Sequence, residues 1–414
     1  MKKVELKPTT LFISSTTAGL LALVMATSTP AAPGTLAGSP LFLQSGSVQP
    51  NIFFMIDDSG SMDWEVLKST GADAIGDYAG FRNRDNLDYT PTRGDRVEML
   101  ESCAGYNVLY YDPTKTYTPW TGVDINGNAY QDQSITSALN DPYNPGSGSR
   151  DLTNDEGFGD PPGYMIWSDD GDGVFEQGEC PDVNDAGYDY NNQFVATVGG
   201  LGPAQVMTAA EQANFANWYS YYRKREYVAK RALSQIIGTS DTRMGLATLH
   251  NNNTVRTLVQ DVDDISVPID STAQANKTAL MRNLFRVNSS GGTPLRQALD
   301  AAGEYYADNS GWGSSPILSA SLGGECQQNF TILMSDGYWN GGDPGVGNTD
   351  SDGAGPFDGG DHADNHSNTL ADVAMEYYEN DLSPLADKVP VIAGVDENNA
   401  QHMVTYTVGF GVDG

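Results

Sequence analysis

Two regimes of residue patterning alternate along this chain. In the first, apolar residues recur with a clear period. Residues 48–56 (VQPNIFFMI) form an apolar run ending on Asp57, the pattern of a strand buried on both faces of a parallel sheet. Residues 243–249 (RMGLATL), 254–260 (TVRTLVQ), 330–334 (FTILM) and 403–410 (MVTYTVGF) predict further strands. Helical spacing runs from 214 to 237 behind a capping box of Thr208 and Glu211, with Gly238 closing that helix. Helices are also predicted over 272–285, over 294–306, where Pro294 suits the first turn, and over 369–379. Strands alternating with helices predict an α/β fold, a doubly wound and mostly parallel sheet with helices on both faces.

In the second regime the period disappears. Residues 63–202 are rich in Gly, Asp, Asn, Pro and Tyr, with turn signals at 144–146 and 161–163, and predict a long irregular insertion. Residues 338–368 predict a second, smaller Gly/Asp-rich insertion. One Rossmann-like domain over 45–414 carries both. Its last residues, 411–414, directly follow a predicted strand, with no helix to cover the sheet. The domain is therefore expected to be incomplete at its C-terminus, within a longer protein.

Composition narrows the function classes. With 39% hydrophobic and 10% aromatic residues the chain can build a core. Its 54 acidic against 22 basic residues, a net charge of -32, argue against a nucleic-acid partner. At the N-terminus Lys2, Lys3 and Lys7 precede an apolar run over 11–25, and small residues follow over 26–32. That order predicts a secretory signal over 1–32, and the run is short of the ~20 apolar residues a membrane span needs. The mature chain is thus expected outside the cytoplasm, in the periplasm and then at the cell surface, without a membrane span. Three cysteines, Cys103, Cys180 and Cys326, predict one disulfide and one free thiol, with three pairings open.

The chemistry concentrates after the first strand. Asp57-Asp58-Ser59-Gly60-Ser61 matches Asp-x-Ser-x-Ser on a strand-to-helix turn, so alternate residues point one carboxylate and two hydroxyls at one centre. Thr293 in Ser-Gly-Gly-Thr-Pro would add a third hydroxyl, and Asp336 in Met-Ser-Asp-Gly a second carboxylate, directly or through water. In a doubly wound sheet these positions converge beyond the carboxyl ends of the strands. Such oxygens suit a hard cation, Mg²⁺, or Mn²⁺ or Ca²⁺ in its place.

These residues resemble the metal-ion-dependent adhesion site of the von Willebrand factor A superfamily. The resemblance implies a cation that leaves one coordination position for a partner's carboxylate. Residues 106–120 (YNVLYYDPTKTYTPW), 214–225 (NFANWYSYYRKR), 328–340 (QNFTILMSDGYWN) and 364–413 are similar to the N-terminal region of the PilY/PilC tip-associated adhesins of type IV pili. That similarity implies a fimbrial role in pilus biogenesis, surface attachment and twitching motility. It implies minor pilins at the pilus tip, and a host or abiotic surface, as partners. A β-propeller-like domain follows in that family; its functions have no matching positions here.

Weaker signals remain. Residues 168–179 (SDDGDGVFEQGE) resemble a twelve-residue calcium loop, with Asp170, Asp172, the Val174 carbonyl, Glu176 and Glu179 as ligands and Gly173 at the turn. Ser168 stands where an Asp is usual. Arg93-Gly94-Asp95 is read as an exposed turn rather than an integrin ligand, and His362 with His366 as loop residues rather than zinc ligands. The aromatic residues of 106–120 and 218–222 are read as packing rather than as an adhesive surface. An enzyme is not expected: a phosphatase of the haloacid-dehalogenase type needs an acid two residues after its nucleophile, and Ser59 stands there.

Overall fold

The run that ends on Asp57 folds into β1 (Asn51–Ile56), and all six residues are buried, as a strand covered on both faces requires. The computed structural model describes residues 48–69, 100–153, 163–180, 194–197, 205–251, 255–262, 272–337, 339–359 and 363–410. The secretory signal expected over 1–32, the Arg93-Gly94-Asp95 tripeptide, His362 and the last residues 411–414 lie outside the described residues.

Around β1 stand β2 (Arg243–Thr248), β3 (Arg256–Asp261), β4 (Asn329–Ser335) and β5 (Met403–Gly409), in the order β5-β4-β1-β2-β3. β1 runs parallel to β2 and β4, and β4 to β5. β3 is antiparallel to β2, because the link between them is too short for the crossover that a parallel pair needs. The architecture is mixed α/β with a mostly parallel central sheet. From β1 the chain winds out through β2 to β3, then returns to β4 and continues to β5. The winding therefore reverses between β1 and β4, the place beyond the strands' carboxyl ends where ligands bind in sheets of this kind.

The helices are α1 (Ala209–Tyr221), α2 (Arg225–Thr239), α3 (Thr272–Arg286), α4 (Leu295–Tyr306) and α5 (Leu370–Glu379). Successive side chains of β1 point to opposite faces. Phe53 and Met55 pack with Leu299, Tyr305 and Tyr306 of α4 and with Val373 and Tyr377 of α5. On the other face, Ile56 meets Ala229 of α2 and Leu284 of α3. Capping boxes start α1, at Thr208 and Glu211, and α5, at Thr369 and Asp372.

The single helix expected over 214–237 is two. Arg223 sits between them with only 5% of its surface exposed, and its Nη1 donates to the Tyr219 carbonyl at 2.6 Å. A continuing helix would give that carbonyl the Arg223 backbone N–H. Arg223 also pairs with Glu65 (Nε–Oε1 2.9 Å) and donates to the Asn140 carbonyl (2.8 Å), so the break is fixed by a buried ion pair. Gly238 does not close α2 but lies within its last turn, where a Cβ would come 2.9 Å from Thr121 Cγ2.

The long insertion has a core of its own. Tyr110, Tyr111, Tyr117, Leu152 and Tyr164 pack on Phe215 and Trp218 of α1, and Trp218 Nε1 donates to the Leu109 carbonyl (2.7 Å). The aromatic segments are therefore packing, as their reading from sequence held. Asn107, fully buried, accepts from Leu67 and Leu109 N–H and donates to the Glu65 and Glu101 carbonyls, stitching the insertion to the segment after β1. A disulfide joins Cys103 to Cys180, and Cys326 is the free thiol. No helix among the described residues is long and apolar enough to cross a membrane.

Candidate metal centre

At the carboxyl end of β1 the chain makes one short turn before the 3₁₀ helix Gly60–Asp63. Asp57 is fully buried there. Its Oδ1 accepts from Ser59 N–H (2.8 Å) and its Oδ2 from the Ser335 hydroxyl (2.6 Å) at the end of β4. Ser59 Oγ and Ser61 Oγ are 3.0 Å apart, and Ser61 Oγ donates to Asp336 Oδ1 at 2.8 Å. The structure thus brings Asp57, Ser59, Ser61 and Asp336 together at the point where the winding reverses.

Thr293 is carried on the loop before α4. That loop is held against the turn by Gly60 N–H donating to the Gly291 carbonyl (3.2 Å). Asn340 fixes Thr293 from the second insertion: Thr293 N–H donates to its Oδ1 (3.0 Å), and the Asn340 N–H donates to the Thr293 carbonyl (2.9 Å).

The donor set can be tested against a cation. Neighbouring ligands of an octahedral Mg²⁺ at about 2.1 Å lie about 3 Å apart. The separations Ser59 Oγ–Ser61 Oγ and Ser61 Oγ–Asp336 Oδ1 match that octahedral edge. Burial pushes the Asp57 carboxyl up; hydrogen bonds from Ser335 and Ser59 pull it back, and the charge of Asp336 adds to the rise. A cation between the two carboxylates would remove that repulsion. The residues fit the ion.

Sequence reading missed the residues that support this set. Arg225 Nη1 donates to Asp336 Oδ2 at 2.6 Å, with both side chains almost wholly buried. The same guanidinium donates twice to the Val66 carbonyl (3.2 and 2.8 Å) and lies over Trp64. Asp58, beside Asp57, faces away and accepts from His250 N–H (2.7 Å), Asn251 N–H (3.0 Å) and Asn251 Nδ2 (2.8 Å). Its carbonyl accepts from Ser290 N–H (2.6 Å). One signal was available, since two adjacent acids at a strand end must point to opposite sides.

In the 168–179 loop, Asp169, Asp170 and Glu179 offer oxygens within 4.8 Å of one another. Asp169, absent from the expected ligands, is exposed and accepts from Gly171 and Gly173 N–H (both 3.1 Å). Asp172 and Glu176 stand outside this group. The Asp172 carboxylate instead accepts from Val174 N–H (2.8 Å), and Glu176 N–H donates to Glu179 Oε2 (2.9 Å).

Comparison with known proteins gives a consistent set. No family model matches the chain, and no solved structure matches it. The type IV pilus biogenesis factor PilY1 of Pseudomonas aeruginosa strain UCBPP-PA14 is 28% identical over 415 residues, 90% of this chain and 32% of the relative. PilY1 of strain PAK is 28% identical over 459 residues, 94% of this chain and 34% of the relative. The chain spans about a third of the length of the curated relatives it matches. Over about nine-tenths of its own length, the chain is similar to the PilY1 type IV pilus biogenesis factors.

Proposed function

We propose that this chain is a von Willebrand factor A-like binding module of a type IV pilus-associated protein. In this reading it acts through a divalent cation, Mg²⁺ or in its place Mn²⁺ or Ca²⁺, held by Asp57, Ser59, Ser61, Thr293 and Asp336. The observation that carries the proposal is the convergence of Asp57, Ser59, Ser61 and Asp336 at the reversal point of the sheet, with the Ser59, Ser61 and Asp336 oxygens 2.8–3.0 Å apart in turn. The cation keeps a position for a carboxylate of the partner, a minor pilin at the pilus tip or a host or abiotic surface. The chain is exported through a signal peptide and works from the periplasm to the cell surface. The 168–179 loop, in the same reading, takes Ca²⁺ through Asp170 and Glu179 with Asp169 added, and stiffens the insertion.

A second reading is favoured by the name of the relatives, pilus biogenesis factors, and by the burial of the centre: Asp57 is 0% and Asp336 5% exposed. There the cation stabilises a priming subunit and contacts no partner. Asp57→Ala in the full-length protein separates the two. Loss of surface attachment with normal piliation supports the adhesive site, and loss of pili with a stable protein supports assembly. Mg²⁺ binding by titration calorimetry that is unchanged in the variant would sink both.

A further inference from the structure

The long insertion and α3 line two neighbouring cavities, of about 650 and 640 Å³, with Ile125, Tyr143 and Arg286 common to both linings. The lining inverts the charge balance of the chain. Of the 22 basic residues, six line the pair: Arg150, Arg223, Lys224, Lys230, Arg282 and Arg286. Of the 54 acidic residues, three do: Asp63, Asp141 and Glu226. A chain with a net charge of -32 thus presents one groove in which positive charge prevails.

Ion pairs within the walls leave part of that charge unmatched. Lys224 pairs with Asp63 (2.5 Å), Lys230 with Glu226, and Arg223 with the buried Glu65 (2.9 Å). Asp141 accepts from Tyr143 N–H at 2.9 Å. Arg282 and Arg286 are exposed on one face of α3, four residues apart. Neither makes an ion pair among the described residues; Arg286 Nη1 reaches Asn283 Oδ1 at 3.4 Å.

The walls are fixed. Phe285 stacks on Trp120 at 5.3 Å and on Tyr143 at 6.2 Å, which joins α3 to the insertion. Ile125 N–H donates to the Tyr143 carbonyl (2.9 Å), so an apolar side chain that is 53% exposed is held beside both cavities.

We infer that this groove binds an extended acidic segment of a partner protein. Two of its carboxylates meet Arg282 and Arg286, and an apolar side chain of the segment rests on Ile125. Guanidinium groups take carboxylates through paired hydrogen bonds, which fixes orientation as well as charge. On an otherwise acidic surface such a patch selects the partner and its register. An acidic saccharide would match the charge, but the aromatic faces on which sugars stack are withheld: Tyr143 is 8% and Phe285 2% exposed. None of Asp57, Ser59, Ser61, Thr293 and Asp336 lines the groove, so the inference does not rest on the function proposed for that centre.

The test uses the whole chain in chelator, so that no cation can bridge to a carboxylate. The probe is a fluorescein-labelled peptide of repeated Asp-Leu-Glu, followed by anisotropy beside its Asn-Leu-Gln analogue. The expected result is saturable binding of the acidic peptide that weakens as NaCl is added. Arg282→Gln/Arg286→Gln and the neutral analogue each weaken it by about tenfold. Both arginines are exposed, so the double variant melts with the wild type, while Arg282→Lys/Arg286→Lys keeps the charge and most of the binding. No binding by the wild type, or equal affinity for the double Gln variant or the neutral peptide, would overturn the inference. Binding of oligogalacturonate in place of the peptide would also overturn it, assigning the groove to acidic saccharides.

Discussion

Arg225→Met tests the electrostatic design of the Asp57 centre most directly. The wild-type guanidinium meets Asp336 at 2.6 Å, with 7% and 0% of the two side chains exposed, and also satisfies the Val66 carbonyl. Methionine fills similar volume and keeps the contact with Trp64, but leaves a buried carboxylate with no counter-charge. Breaking such a pair costs about 3–5 kcal/mol. At about 2 °C per kcal/mol for a chain of this size, the melting temperature falls by about 6–10 °C in chelator. Magnesium changes the outcome. An ion against Asp336 Oδ1 supplies the missing positive charge, so it binds the variant more tightly than the wild type. At a hundredfold excess over its dissociation constant, an ion contributes about 2.7 kcal/mol of stability. Thermal melts of both proteins, in chelator and in MgCl₂, read the difference: Mg²⁺ raises the melting temperature of Arg225→Met by more than that of the wild type. A deficit in chelator under about 1 kcal/mol would refute the buried pair. A Mg²⁺ shift equal in both proteins would refute the coupling between Arg225 and the cation.

Two other outcomes follow from the packing. The Cys103–Cys180 bridge closes a loop of sequence separation 77, for which chain entropy gives about 4–5 kcal/mol. Cys103→Ser/Cys180→Ser therefore melts well below the wild type, and the unfolded, unreduced wild type shows one reactive thiol, Cys326; three thiols would contradict the pairing. Asp300, which accepts from the Tyr377 hydroxyl at 2.7 Å, has its carboxyl raised above 3.8 by burial, with the Tyr377 bond opposing the rise. A raised acid stabilises the fold below its unfolded value and loses that contribution as pH rises through its native one. Asp300→Asn should thus melt above the wild type at pH 7 and converge with it near pH 3.5; a gap that widens as the pH falls would reverse the sign.

What could be read in the sequence was whatever depends on local period and spacing. The strands of the sheet are apolar runs; β2, β3, β4 and β5 fall within a residue or two of their predicted limits, and β1 begins three residues later than expected. The capping box at Thr208 marked a helix start because its bonds are made within four residues, and the structure adds one at Thr369 that the sequence reading had not used. Asp57, Ser59 and Ser61 were legible because one turn sets their spacing. Contacts made across long separations were not. Arg225 and Asp336 are 111 residues apart, and nothing in the local pattern of a helical run distinguishes a buried arginine from an exposed one. The break at Arg223 was hidden for the same reason, since its cause is Glu65 on another segment. The insertion looked irregular because its strands are only two to four residues long and aromatic packing between them leaves no period to detect.

The back-to-back arrangement of Asp57 and Asp58 bears on how this segment can vary. One carboxylate faces the proposed cation, and its neighbour clasps the chain at His250 and Asn251. Their roles are assigned by parity along an extended backbone, and a shift of one residue exchanges them. Conservative replacements between 57 and 61, such as Thr for Ser, leave that parity intact. A single deletion there would send the clasping acid into the ion's place and both hydroxyls out of it. The segment is therefore frame-locked: it tolerates changes of side chain far better than changes of length.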